Sequence, residues 1–369
     1  MKKFTGLGAL ILSAGVAVTL AGCGGCMGCG SGCNKSAKNT TVTSSNWFSD
    51  INYKGIQPSF MQDGENFSAE MLTYKVEFTK GENSTYSVDY TNGEYKTQFY
   101  GTKYDWKKSG IPENYAVSGV AEESVYYYRT ELNIEVQYEY KGQTTEWFAD
   151  KVVTEAYFRA AGLNLQPVYS KQEVLSHSPE RYQANSLQNA WEEVNAVYET
   201  YYNYYCTEAT VYTTDNLAGG ERVAKRYTGL NKAKNSLFDN SSLEIVLRSM
   251  PNQADSTITL FNAVAGGRDN FSVDGGSAWF ADEEREQISA VLRNANLLAA
   301  DKTVETVSAS VKYSGTLPGT SSTYWYAAVD DANNNTARST MVRLAMPISY
   351  GLGTLVFSLS SVESTLWAG

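Results

Sequence analysis

The chain has 369 residues, more than one domain commonly holds, and 42% hydrophobic against 19% charged residues, so a sizeable core is expected and wholesale disorder is not. Its formal net charge is −10, and loss of Lys2 and Lys3 with a leader makes it −12. A surface of that sign repels nucleic-acid phosphates and anionic headgroups, which argues against nucleic acid as a partner.

Lys2 and Lys3 form a basic start, and Gly6 to Leu20 then runs small or apolar without a charge. That run is short for a membrane span and suits the apolar part of a signal peptide. It ends in Leu20-Ala21-Gly22-Cys23. Basic start, apolar run and tetrad, in that order, resemble the bacterial lipoprotein family over residues 1–23. The resemblance implies cleavage between Gly22 and Cys23, leaving residues 1–22 as the signal peptide. It also implies diacylglycerol on the Cys23 sulfur, and so a membrane-anchored location on the extracytoplasmic side, at the cell surface or in a periplasm. Two acyl chains on one residue make a stable anchor.

Residues 23–46 are Gly, Ser, Thr, Asn and Lys with almost nothing to bury, a flexible tether with a reach of roughly 25–30 Å. Cys23, Cys26, Cys29 and Cys33 share the spacing of iron–sulfur ligands. A thioether at Cys23, Asn34 in place of the usual proline, and glycine between the thiols all speak against a cluster, so no cofactor and no metal are expected. Cys206, alone in a Tyr-rich strand, is expected to be a small buried hydrophobe.

The amino-terminal half alternates with period two. In Met71–Thr79, Leu72, Tyr74, Val76 and Phe78 share one face. Tyr86, Val88 and Tyr90 repeat the pattern. Asn92-Gly93 reads as a two-residue hairpin turn into a third strand, Glu94–Tyr104. In Val125–Tyr140, Tyr126, Tyr128, Leu132, Ile134, Val136, Tyr138 and Tyr140 face one way and charged or amide side chains the other, in a strand long enough to require curvature. Thr144–Phe148 and Val152–Phe158 extend the meander.

The polar stretch Ser176–Gln188 suggests a boundary, giving a domain over 47–178 and another over 179–369. In the second, Ser186–Glu199 has Leu187, Trp191, Val194 and Val197 at helical spacing, and Asp282–Ala299 is the clearest helix, with Asp282 as its cap. Strands are expected at Leu243–Arg248, Thr257–Val264, Val304–Tyr313, Tyr324–Val329, Thr340–Met346 and Leu355–Leu359. The fold class is mainly β: two antiparallel β-rich domains, at least the first a strongly curved sheet, or else one continuous large sheet.

His177 is the only histidine, so HExxH and multi-His metal sites are excluded, and in Ser176-His177-Ser178-Pro179 it reads as a surface loop residue. No G-x-S-x-G elbow, S-x-x-K or P-loop occurs. Asp331, Asn333 and Asn335 begin like a calcium loop, but Thr336 and Val342 stand where its glycine and glutamate belong. Tyr126, Tyr127 and Tyr128, and Tyr201, Tyr202, Tyr204 and Tyr205, must each place a ring on the solvent side of a strand, where rings suit glycan or protein contact. The expected function is therefore a membrane-anchored lipoprotein with a non-catalytic binding or envelope-structural role, its ligand a lipid, a glycan or an envelope protein. The alternative is a lipid or apolar-ligand carrier using a concave face lined by Leu72, Val76, Leu132, Ile134 and Val136. At the level of architecture, that alternative resembles the half-barrel lipoprotein carriers. A surface hydrolase stands behind both and would need carboxylates, or His177 with an acid and a hydroxyl, to converge in a cleft.

Overall fold

The computed structural model describes residues 70–364 apart from 83–84, 117–118, 162–163, 180–182, 231–236, 249–255, 277–279, 314–320 and 329–339, with two short leader strands, Ile11–Ser13 and Val16–Val18, paired to each other. The expected lipobox, the expected tether with Cys26, Cys29 and Cys33, and Asp331, Asn333 and Asn335 lie outside the described residues.

Alternating side chains commit most of the chain to strands. They are β1 (Glu70–Lys80), β2 (Ser87–Asp105), β3 (Glu122–Tyr140), β4 (Phe148–Ala161), β5 (Asn164–Pro179), β6 (Trp191–Tyr202), β7 (Glu208–Asp215) and β8 (Arg222–Thr228). After them come β9 (Leu237–Asp239), helix α1 (Leu243–Arg248), β10 (Ser256–Asn262), β11 (Gly267–Gly276) and helix α2 (Asp282–Asn294). The chain ends with β12 (Thr306–Tyr313), β13 (Ser321–Ala327), β14 (Met341–Ile348) and β15 (Gly353–Ser364).

All belong to one 16-stranded sheet in the order β8-β7-β6-β5-β4-β3-β2-β1-β15-β14-β13-β12-β11-β10-β9, with Gln143–Thr144 pairing β3 off that path. The first and last strands of this sheet in chain order, β1 and β15, lie side by side in its middle, and the two free ends, β8 and β9, are neighbours in sequence. The sheet does not close on itself. Two domains are not shown, because the expected boundary falls inside β5, which pairs with β6 from Tyr169↔Tyr201 to Pro179↔Trp191. One continuous sheet describes the molecule.

The sheet is strongly curled. Tyr202 of β6 bonds Asp239, and Tyr326 of β13 bonds the Glu244 carbonyl. Those strands are eight steps apart in the sheet order, roughly 38 Å if flat at about 4.8 Å per strand. Asp239 and Glu244 are separated by roughly 10 Å at most along a helical segment. Both contacts exist only because the sheet wraps around that segment.

Four local expectations change. Asn92-Gly93 is no hairpin but a bulge inside the continuous strand β2, where the register shifts between Thr91 and Glu94 and Asn92 takes φ 51°. A Cβ at Gly93 would come within 2.6 Å of the Val76 Cβ, so glycine there serves close strand approach. Ser186–Glu199 is not a helix: after a single 3-10 turn at Leu187–Asn189 the chain enters β6. Leu243–Arg248 is a helix rather than a strand, with every residue buried. Helix α2 is present, but Ala281 holds its cap position and Asp282 begins its first turn.

Candidate functional site

The five residues expected to line an apolar concavity lie on one face, as alternation requires: Leu72 is 3% exposed, Val76 6%, Leu132 2%, Ile134 3% and Val136 0%. That face is not open. It shares one core with Leu243, Ile245, Val246 and Leu247 of α1, so a segment of the chain fills the concavity.

The filling segment, Asp239–Arg248, is held by polar side chains as well as apolar packing. Asp239 starts a short 3-10 turn by accepting from the Ser241 amide, and its carboxylate also accepts from the hydroxyls of Ser170 (2.7 Å) and Tyr202. Gln172 donates to the Ser241 hydroxyl at 3.0 Å. Glu244 receives the Tyr95 hydroxyl on one oxygen at 2.8 Å and the Tyr128 hydroxyl on the other. Burial pushes its carboxyl up from 4.5 to about 7, against the two hydroxyls that pull it down. Arg248 donates both terminal nitrogens to Glu70 of β1, at 2.6 and 2.9 Å. Burial opposes both of those charges, raising the acid and lowering the base, and the bidentate contact holds them as a pair. Asp239 is likewise raised by desolvation.

His177 is a strand residue of β5 rather than a loop residue, and it is 9% exposed. Its Nδ1 lies 2.7 Å from Asp150, which also accepts from the His177 amide at 3.0 Å. The imidazole stacks on Phe148 with centroids 4.2 Å apart and leans on Trp191. An acid, an imidazole and hydroxyls therefore do converge, but in the wrong order for nucleophilic catalysis. Ser176 bonds Asp150 and Ser178, so the carboxylate, not the imidazole, is the hub. Desolvation raises Asp150 above its ordinary value while the His177 contacts pull it down. The cluster is a buried latch between β4 and β5.

The tyrosine clusters split between faces as expected. Tyr126 and Tyr128 point inward, Tyr126 stacking on Phe99 and Phe158, while Tyr127 points outward. On the outer face the register aligns Tyr100, Tyr127, Tyr157, Tyr169 and Tyr201 across β2 to β6. Successive rings are 4.8, 4.9, 5.9 and 4.9 Å apart, and Tyr212 of β7 follows at 5.8 Å. Nothing in the sequence short of strand register could have found this row. Its rings contact one another, and Trp106 and Tyr115 cover one end, which leaves little ring face for stacking a sugar. Cys206 is buried as expected, but in a turn with φ 52°, its thiol bonded to the Pro167 carbonyl and pushed up to about 11 by burial.

Among the described residues, no group of three or more His, Cys, Asp or Glu is placed to hold a metal ion, and no helix is long and apolar enough to cross a membrane. No family model matches the chain, and no curated protein matches it. Among solved structures, it is similar to a beta-barrel-like protein of domain of unknown function DUF1849 from Brucella abortus, with 10% identity and a TM-score of 0.44, covering 80% of this chain and 98% of that one.

Proposed function

We propose that the protein is an exported lipoprotein, anchored through acyl chains on Cys23, whose β body serves as a binding module on the extracytoplasmic side. The observation that carries the binding part is the concave face. A curled sheet surrounds Asp239–Arg248, a segment of the chain gripped by hydroxyls, an amide and a carboxylate of the wall. A wall that recognises polar groups while burying apolar ones has the character of a ligand site. The anchoring part rests on the residues before Gly24 alone.

The two parts are tested separately. Metabolic labelling with a palmitate analogue marks the native chain, while Cys23→Ala abolishes the label and releases the protein from membranes. A labelled, membrane-bound mutant refutes the anchor. Native mass spectrometry of the chain purified from its host shows a bound lipid, glycan or peptide if the body is a binding module. A body that is empty from every source and that no such ligand loads refutes that reading.

A further inference from the structure

We propose that the concave chamber is a binding site for a single-chain carboxylate amphiphile, of which palmitate is the simplest probe, and that Asp239–Arg248 occupies it as an internal stand-in that the ligand displaces. The proposal deepens the binding-module reading and rests on it.

The chamber's chemistry is displayed by what it holds. The Tyr95 and Tyr128 hydroxyls each donate to one oxygen of the Glu244 carboxylate, so the wall offers a two-donor cradle for a carboxylate with no cation in it. Around that cradle the wall is apolar or aromatic: Leu72, Tyr74, Leu132, Ile134 and Val136 are all 3% exposed or less. The segment lays Leu243, Ile245, Val246 and Leu247 in the same core. A carboxylate at a hydroxyl pair with a run of apolar carbon beside it is the pattern of a fatty acid. Neutral donors, rather than arginine or lysine, suit a headgroup that need not keep a full charge when buried.

Two observations mark the segment as displaceable rather than as ordinary core. First, Asp239, Glu244 and Arg248 are 2%, 3% and 6% exposed, and burying such groups is no more stabilising than well-packed apolar residues of similar size; the charge that withdrawal would leave behind, on Glu70, can be shed by taking up a proton, because burial raises that carboxyl to about 8. Their advantage lies outside the chamber, where water solvates them and a fully apolar segment would be exposed. Second, the segment joins the sheet only through its last strand, although its helix reaches the middle strands by side chains. Among the described residues, its strand β9 pairs only with β10, in parallel and over three residues, Leu237↔Thr259 to Asp239↔Phe261, and β8 does not pair with it. Withdrawal breaks no ladder between any other two strands.

The test uses the full chain with Cys23, Cys26, Cys29 and Cys33 changed to Ala, so that it has no acyl chain and no competing tether thiol, and with Ser170→Cys and Asp239→Cys added. Those two short side chains meet at 2.7 Å, so a disulfide between them pins the segment. Palmitate is titrated with the pair reduced and oxidised. The proposal expects saturable binding of one palmitate per chain when reduced, weakened by about tenfold or more when oxidised. Equal affinity in the two states, or none in the reduced state, overturns it. A second comparison needs no crosslink: Tyr95→Phe with Tyr128→Phe takes the donors from the stand-in as well as from the ligand, so hexadecanol, which lacks the carboxylate, meets a weaker competitor and the ratio of palmitate to hexadecanol affinity falls by about tenfold or more. An unchanged ratio overturns the cradle. A chain that ignores palmitate yet carries another ligand from its host rules out this ligand class and leaves the binding module standing.

Discussion

Tyrosines line both faces of the sheet, and the two populations use their hydroxyls differently. On the concave face, Tyr95 and Tyr128 donate to the buried Glu244, Tyr202 to the buried Asp239, and Tyr74 to the Met341 carbonyl. On the convex face, Tyr127 donates to the half-buried Glu155 at 2.9 Å, and the row of rings is held by cross-strand contact. Inside, Tyr95, Tyr128, Tyr202 and Tyr326 grip one inserted segment, while Tyr74 and Tyr138 bond carbonyls of the wall itself. Outside, the rings form a seam that stiffens a sheet already paired through its backbone. The difference teaches that the insert is where stability and pH dependence are coupled.

The largest break is expected at the inner ion pair. Arg248→Met leaves Glu70 buried without its guanidinium and costs about 3–5 kcal/mol in urea unfolding. Adding Glu70→Met recovers most of that loss, because what is costly is one unmatched charge. A double mutant no better than the single would show that the pair itself stabilises the fold.

Glu244 sets the next effect. Its carboxyl is raised from 4.5 to about 7, so the folded state binds its proton more tightly than the unfolded chain does. Stability from this group is present below about 4.5 and is lost as pH rises to about 7, by up to about 3 kcal/mol. Glu244→Gln flattens that slope. An unchanged slope in the variant would remove Glu244 from the account.

The latch and the outer seam follow. His177→Ala takes the imidazole from Asp150 and lowers stability by about 2 kcal/mol, read as a shift in the unfolding midpoint. Tyr157→Leu keeps apolar volume on the outer face but breaks three ring contacts, and costs about 1 kcal/mol. An outer change as costly as Arg248→Met would erase the contrast between the faces.

What could be seen in the sequence followed period. The alternation of Leu72 to Phe78 and of Tyr126 to Tyr138 announced β1 and β3, because one face is apolar and the other charged. It failed where the inner face is itself polar. Ser170, Gln172, Ser176 and Ser178 of β5 point inward to serve Asp239, Ser241 and Asp150, and with Val174 the one apolar residue among them the strand carried too weak an apolar phase, so Ser176–Gln188 looked like a linker. The insert was hidden for a related reason. Leu243–Arg248 is apolar on most sides, and so short a run fits a strand as well as a buried helix. Asn92-Gly93 has the composition of a hairpin turn, and only the pairing of β2 with both β1 and β3 along its length shows that the chain runs straight through. The five residues Leu72, Val76, Leu132, Ile134 and Val136 share one buried face, as alternation requires, but their cover could not be read, since it comes from a segment more than a hundred residues away.

The central claim, that Asp239–Arg248 is a removable occupant of the chamber, is tested most directly by native-state hydrogen exchange. The amides of Leu243–Arg248 are expected to open at a markedly lower free energy than those of the surrounding strand Glu122–Tyr140, and to lose further protection when palmitate is added. Exchange of segment and strand together, at the free energy of global unfolding and indifferent to palmitate, would contradict it.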